Sequence, residues 1–388
     1  MTGILLAVVG NSYGYKPVNT VAPAITGTAQ SRQTLTCSTG TWNAAPPSIT
    51  YTYQWKRAGS NISGATSSTY VVQNADVGST LTCDVTASNT VGSTTATSNT
   101  TATVAANVPL APTIGTATLS GSTSASVTFT PPADNGGAAI TSYTVTSSPG
   151  GITASGSSSP ITVSGLSGGT SYTFTVKANN SAGSSASSSA SNSITTQYSP
   201  GQSLDGGYFA AYISTSGNGV ATHALIVSPK ASGQTTGKNI STGITPTSFI
   251  NGPANSYDLG VTYSATAATF CEGLTINGYS DWYLPAKSEA DAAYVNLKPS
   301  SISNDTSSGI NDYSVPKRTS NYTTSSPTTT TATAFQSGNS ESIDTTYIWT
   351  STATSGTQGY VLYFANGYSF AIARNSNEAV RAFRRKAL

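Results

Sequence analysis

Charge is what this sequence has least of. Among 388 residues only 16 are Lys or Arg and 14 are Asp or Glu, 8% together, against roughly 25% in an ordinary globular chain. A net charge of +2 leaves no basic field of the kind that binds nucleic acid. The single histidine, His223, excludes a multi-histidine metal site and leaves one candidate for any His-based triad. Three cysteines exclude four-cysteine zinc and iron–sulfur centres. No segment approaches the roughly 20 apolar residues of a membrane span, so membrane insertion is not expected. Ser, Thr, Gly and Asn fill the space left by charge, beside 21 Tyr, 9 Phe and 4 Trp. Those aromatics argue against disorder, and the whole suits β-sheets with many turns.

The chain divides into an N-terminal segment and three modules. Residues 1–16 carry the apolar run Ile4, Leu5, Leu6, Ala7, Val8, Val9, without a cationic start and short for an export signal. It reads as an extended segment that docks on a larger assembly, or as the first strand of the adjoining domain. Linkers at Thr103–Pro109 and Thr196–Gly201 each place a Pro where a strand must end.

In the first module, 17–104, apolar and polar residues alternate in Thr34–Cys37, Thr52–Lys56 and Thr80–Val85, the mark of strands with one buried face. The order Cys37, Trp55, Cys83, with Gly40-Thr41-Trp42, Tyr53-Gln54-Trp55 and Ala75-Asp76-Val77-Gly78, resembles the bacterial and phage immunoglobulin-like family. Leu81 stands where antibody domains place a corner tyrosine. Cys37 and Cys83 are placed to meet across a sandwich, bridged in an oxidising compartment or reduced and packed in a cytoplasm.

The second module, 108–197, alternates again in Ser126–Thr130, Ser142–Thr146 and Tyr172–Ala178. Pro131-Pro132-Ala133-Asp134-Asn135-Gly136-Gly137, Ile140–Tyr143 and the run from Leu166 to Gly183 resemble a fibronectin type III domain. The resemblance makes Tyr172 its corner tyrosine and Phe129 the substitute for a core Trp. Asp134 and Lys177 are its only charged residues, so it offers no catalytic constellation.

The third module, 200–388, mixes periodicities. Gly207–Ile213 and Ala224–Val227 read as strands; helices are expected near Ser264–Cys271 and after Pro285, where Ala290, Ala293, Tyr294 and Leu297 share a face. The polar stretch from Lys298 to about Thr346 is long for a loop, a length that goes with function or mobility. Tyr360–Ala365 and Tyr368–Ile372 form a hairpin across Asn366-Gly367. The motifs Asn277-Gly278-Tyr279-Ser280-Asp281-Trp282-Tyr283-Leu284-Pro285, Tyr347–Thr352 and Val380–Arg385 resemble C-type-lectin-like domains found at the ends of bacterial and phage surface proteins. That resemblance implies binding of glycans or cell-surface proteins, and makes Trp282 a core residue.

Few residues here suggest chemistry. His223 fits a structural place at a strand start, and no Gly-x-Ser-x-Gly elbow leads to a nucleophile. The carboxylates of the third module form no recognisable glycosidase pair, and no enzyme is expected. Asn304, Asp305, Asn311 and Asp312 offer oxygens for a structural calcium ion or cap turns; no other cofactor or metal is expected. Arg381 is assigned to hydrogen bonding within the domain, and Arg384, Arg385 and Lys386 to a solvated basic end. Cys271 reads as a buried apolar residue. The candidate ligand-binding residues are Tyr360, Tyr363, Tyr368, Arg374, Asn375 and Asn377, because tyrosine offers a flat apolar face with a hydroxyl at low entropy cost.

The expected architecture is mainly β and multidomain: two β-sandwiches followed by an α+β, C-type-lectin-like domain. The resemblances imply a phage virion fibre or decoration protein on the particle surface. The N-terminus, through Ile4, Leu5, Leu6, Val8 and Val9, would meet other virion proteins, and the C-terminal domain a host glycan or receptor. Homo-oligomers fit such a role. A bacterial surface adhesin, or a tail or capsid component without a receptor, are the other readings.

Overall fold

A computed structural model describes residues 14–240, 248–262, 265–343 and 347–388. The proposed docking residues Ile4, Leu5, Leu6, Val8 and Val9 lie outside the described residues. The protein is mainly β and separates into two compact units, 1–197 and 198–388.

The first unit holds both sandwiches. In the N-terminal one, the strand order Ser60–Asn61, Thr50–Arg57, Leu81–Asn89, Gly92–Thr97 makes one sheet. Ile25–Thr26, Thr34–Cys37 and Thr69–Val71 make another, and Tyr15–Val21 pairs with Thr41–Ala45. Tyr15 and Lys16, the last residues of the expected docking segment, belong to the strand Tyr15–Val21. Alternation does what the sequence predicts: Leu81, Cys83, Val85 and Ala87 are buried on one face of their strand. Trp55 is fully buried, stacked on Tyr70 at 5.5 Å, in the same core as Cys37 and Cys83. Both cysteines are free thiols, Cys37 donating to the Ser38 carbonyl at 3.4 Å and Cys83 to the Asp84 carbonyl at 3.8 Å. Leu81 fills the core at the corner position.

The second sandwich packs Thr113–Gly121, Ser124–Thr130 and Ile161–Ser164 against a sheet built on Ser142–Ser148 and Ser171–Asn180. Phe129 is buried 4.7 Å from Tyr143. The hydroxyl of Tyr172 accepts a hydrogen bond from the Ser167 backbone N–H at 3.0 Å, a tyrosine corner as expected.

A polar seam joins the two sandwiches. The Asp134 carboxylate accepts from Asn74 Nδ2 at 2.7 Å and from the Gly136 N–H at 2.7 Å, and faces Arg32 at 3.9 Å. Arg32 also donates to the Val108 carbonyl. Asn180, nearly buried, donates to the carbonyls of Asn107 and Asn135, both at 2.8 Å. Gly136 and Gly137 are required here. Both have positive φ, and a Cβ would lie 2.0 Å from the Asn107 oxygen and 2.4 Å from Val77 Cγ2, respectively.

Among the described residues the second unit has two sheets. The first runs Ser203–Leu204, Gly207–Ile213, His223–Val227, Phe383–Ala387, with Ser314–Val315 added beside Gly207–Ile213. The second runs Gln234–Lys238, Glu378–Arg381, Tyr347–Ala353, Gln358–Tyr363, Tyr368–Ala373. The helix Lys287–Leu297 follows Pro285 and buries Ala290, Ala293, Tyr294 and Leu297. An earlier helix spans Thr266–Glu272; Ser264 lies outside the described residues. Trp282 is buried and its indole N–H donates to the Tyr279 carbonyl at 2.9 Å. Cys271 is fully buried.

Two expectations change. The polar stretch after Lys298 has little regular structure, yet it is pinned to the core. Tyr322, Phe335 and Ile343 are buried, and Asn304 accepts from the Tyr294 hydroxyl and donates to the carbonyls of Thr323 and Pro327. The last hairpin has a four-residue turn, 364–367, rather than two. Phe364 turns inward edge-on to Tyr294 at 5.7 Å, and among the turn residues only Gly367 has positive φ.

The seam carries a pH signature. Asn74 and the Gly136 N–H hold the Asp134 carboxyl below its ordinary value, with Arg32 adding attraction and burial opposing. A depressed carboxyl stabilises fully above the unfolded value near 3.8 and loses that contribution as pH falls through the lower folded value. Asp134→Ala should cost about 1–2 kcal/mol, uncouple the melting of the two sandwiches, and lessen the acid-dependent loss below about pH 4, leaving the share carried by Asp84. Calorimetry of both proteins across that range checks this.

Candidate functional site

The sequence-derived candidates sort by strand register. Tyr347 pairs with Tyr363, and Tyr363 with Tyr368, on adjacent antiparallel strands. Directly opposed residues point to the same side of a sheet, so the three tyrosines form one cross-strand row. Phe370, two residues beyond Tyr368, shares that face. Ring centroids lie 5.2 Å apart for Tyr347–Tyr363, 5.3 Å for Tyr347–Phe370 and 4.9 Å for Tyr368–Phe370, the last pair nearly parallel at 20°. Tyr347 and Tyr368 are 39% and 38% exposed, and Tyr363 and Phe370 half-buried. Further along the same face Trp349 and Val361 are fully buried, with the Trp349 indole N–H donating to the Lys238 carbonyl at 2.8 Å. The strip is therefore a rigid aromatic platform whose far end is fixed in the core.

The other candidates do not join it. Tyr360 lies on the opposite face, 5.9 Å from Phe249 and beneath the Lys287 ammonium. Arg374 is fully buried, donating to the Ile240 carbonyl at 3.0 Å, and its guanidinium pKa is lowered by burial. It is an interior brace, because its side chain turns inward at the strand end. Asn375 and Asn377 are exposed in the turn that follows. Sequence reasoning missed Tyr347 and Phe370 as partners. Their alternation with Trp349 and Tyr368 was visible, but the register that aligns them was not.

Arg384, Arg385 and Lys386 do not form a solvated basic end, while Arg381 hydrogen-bonds within the domain as the sequence suggested. Arg381 is fully buried, donating to Glu341 at 2.7 Å, to the Ser228 carbonyl and to Gln234; burial pushes its pKa down to about 10 against the pull of Glu341. Arg384 makes a two-pronged contact with Asp281 at 2.7 and 3.1 Å and faces Asp205 at 3.4 Å. Arg385 pairs with the buried Glu289 at 2.7 Å, and Lys386 with Asp205 at 3.2 Å. Each cation is neutralised because the neighbouring loops and the helix Lys287–Leu297 bring carboxylates against these two strands.

The supposed calcium ligands are engaged in turns. Asp305 accepts from the Ser307 N–H and hydroxyl, Asn311 accepts from the Tyr313 N–H and donates to the Ser288 carbonyl, and Asp312 pairs with Lys317 at 3.0 Å. Among the described residues no three His, Cys, Asp or Glu side chains group as a metal site. His223 sits half-buried at its strand start, 2.9 Å from the Thr222 hydroxyl, its pKa lowered by burial and by Arg385.

Paired β-sheets with a tyrosine corner define a β-sandwich class. More narrowly, residues 110–194 match the fibronectin type III domain model, and that segment is a fibronectin type III domain. Similar solved structures include titin domains A168–A170 (21% identity, 47% of this chain and 67% of that one, TM-score 0.26). The twitchin kinase region of C. elegans is 23% identical over 24% of this chain and 18% of that one, with a TM-score of 0.22. A human fourth fibronectin type III domain is 28% identical over 27% of this chain and 92% of that one, with a TM-score of 0.23. No curated protein matches the chain.

The sheet bearing the platform is anchored by Arg381. Glu341→Gln leaves that buried guanidinium without its counter-ion and should destabilise the second unit by about 3–5 kcal/mol. Denaturant unfolding followed by tryptophan fluorescence measures it.

Proposed function

We propose that the chain is a surface adhesin in which two β-sandwiches act as spacers for a C-terminal binding domain. Sandwiches of the fibronectin type III and immunoglobulin-like kinds commonly serve adhesion or structural roles. The observation that carries the binding reading is the row Tyr347, Tyr363, Tyr368 with Phe370. Aromatic faces stack on the apolar faces of sugar rings while phenolic hydroxyls reach their rims, a pairing of flat apolar surface with polar edge. The ligand is accordingly a glycan of a cell surface.

The motif resemblances favour a finer reading: a phage virion fibre or decoration protein, with an immunoglobulin-like first module and a C-type-lectin-like head meeting the host. The apolar N-terminal segment would then attach to other virion proteins. Binding rather than catalysis is supported by the carboxylates Asp205, Asp281, Glu289 and Glu341, which are committed to ion pairs with arginine.

A glycan array probed with the full chain tests this reading. Binding to a defined set of saccharides is expected, and Tyr363→Ala should weaken it about tenfold, about 1.4 kcal/mol, with the melting temperature of the second unit little changed. Full binding by a folded Tyr347→Ala, Tyr363→Ala double variant contradicts the assignment of the face.

A further inference from the structure

The segment from Asn311 to Arg318 closes on itself. The Asn311 N–H donates to the Arg318 carbonyl at 2.9 Å, and the Arg318 N–H to the Asn311 carbonyl at 3.1 Å. Between them Ser314–Val315 pairs with the strand Gly207–Ile213. Arg318 thus leaves a fixed backbone, and its side chain is held twice more. The guanidinium lies over the ring of the buried Tyr322, 4.8 Å from its centroid, and Nε donates to the Gly309 carbonyl at 3.1 Å.

What Arg318 lacks is an anion. Arg381, Arg384 and Arg385 each meet a carboxylate. Arg318 is half-buried, and among the described residues no carboxylate lies within ion-pair distance of it and nothing hydrogen-bonds its two Nη groups. The acid of the same turn, Asp312, is taken by Lys317 at 3.0 Å. Arg318 borders a hollow of about 60 Å³ against the helix Lys287–Leu297. Ala292, Val295, Val315 and Pro316 give it apolar walls. Asn296 adds an amide whose Nδ2 donates to the Ala210 carbonyl at 2.8 Å, which leaves one of its N–H groups over. One water takes roughly 10–15 Å³ of such space, so the hollow suits one oxyanion group and is too small for a sugar ring.

We propose that this hollow is an oxyanion site in which Arg318 takes a carboxylate or sulfate group through its free Nη pair. A guanidinium presents its N–H donors in a rigid planar fork that matches such groups with two parallel bonds. The Tyr322 ring and the Nε bond fix the plane of that fork before the ligand arrives, so little side-chain freedom is lost on binding. Apolar walls lower the local dielectric and strengthen the attraction. The site takes the charged group alone, and the rest of a larger ligand stays outside the hollow. The inference stands apart from the glycan reading of the aromatic row, which uses other residues.

The test is isothermal titration calorimetry of the full chain, at constant ionic strength, with glucuronate, glucose 6-sulfate, inorganic sulfate and neutral glucose. Saturable binding of at least one anion is expected, with weaker or no binding of glucose. Tighter binding of a sugar-borne anion than of inorganic sulfate assigns the site to an acidic saccharide; the reverse assigns it to a free oxyanion, and either supports the proposal. Arg318→Gln should abolish anion binding. Arg318→Lys keeps the charge without the planar fork and should weaken it at least about tenfold. No saturable binding of any anion, glucose binding as tightly as the anions, or unchanged binding by a folded Arg318→Lys variant overturns the proposal. Failure here leaves the effect of Tyr363→Ala on the glycan array standing, and failure there leaves the Arg318 result standing.

Discussion

The C-terminal segment 378–387 is the constraint on which the second unit depends. Glu378–Arg381 belongs to one sheet and Phe383–Ala387 to the other, so ten residues of chain stitch the two sheets together. At the crossing, Ala382 donates to the Gly233 carbonyl and accepts from the Ser228 N–H, while Phe383 and Tyr283 exchange backbone hydrogen bonds. Three arginines on this segment then reach three separate parts of the chain: Glu341, Asp281 with Asp205, and Glu289. Buried ion pairs add little net stability, but losing one partner is costly. Such pairs select one arrangement of loops over others, which is what a rigid display surface requires.

Low charge has a different meaning in each unit. The fibronectin type III domain, with only Asp134 and Lys177, uses Asp134 in the seam with its neighbour. In the second unit several charges, Glu289, Glu341, Arg381 and Arg384 among them, are internal struts, and the surface of the strands Tyr347–Ala353, Gln358–Tyr363 and Tyr368–Ala373 is aromatic instead. Under the proposed function a face of tyrosines held by buried arginines divides the labour: ion pairs fix geometry, and neutral rings are left to make contact. Sparse surface charge also reduces long-range steering of partners, so the recognition we propose there would rely on short-range stacking.

Much of the architecture was legible in the sequence because its signals are local. Period-two alternation located Leu81–Asn89 and Ser171–Asn180, and Pro285 marked the start of Lys287–Leu297. The candidate site was legible only in part. Tyr363 and Tyr368 were recognised, but Tyr360 falls on the other face by simple parity, and Tyr347 joins only through long-range register. Arg374, Arg384 and Arg385 misled for one reason: a charged side chain reads as solvated unless its distant carboxylate or carbonyl partner is known. The Asn366-Gly367 turn misled by two residues because Phe364 is drawn into the core by Tyr294.

The central claim is that the row of Tyr347, Tyr363, Tyr368 and Phe370 is the surface that makes contact. Hydroxyl-radical footprinting of the full chain, free and saturated with its best array saccharide, tests it most directly. The account predicts protection at those four rings, with Tyr143 and Tyr172 of the fibronectin type III domain unchanged. Protection confined to the sandwiches, with the four rings as reactive as in the free protein, would contradict it.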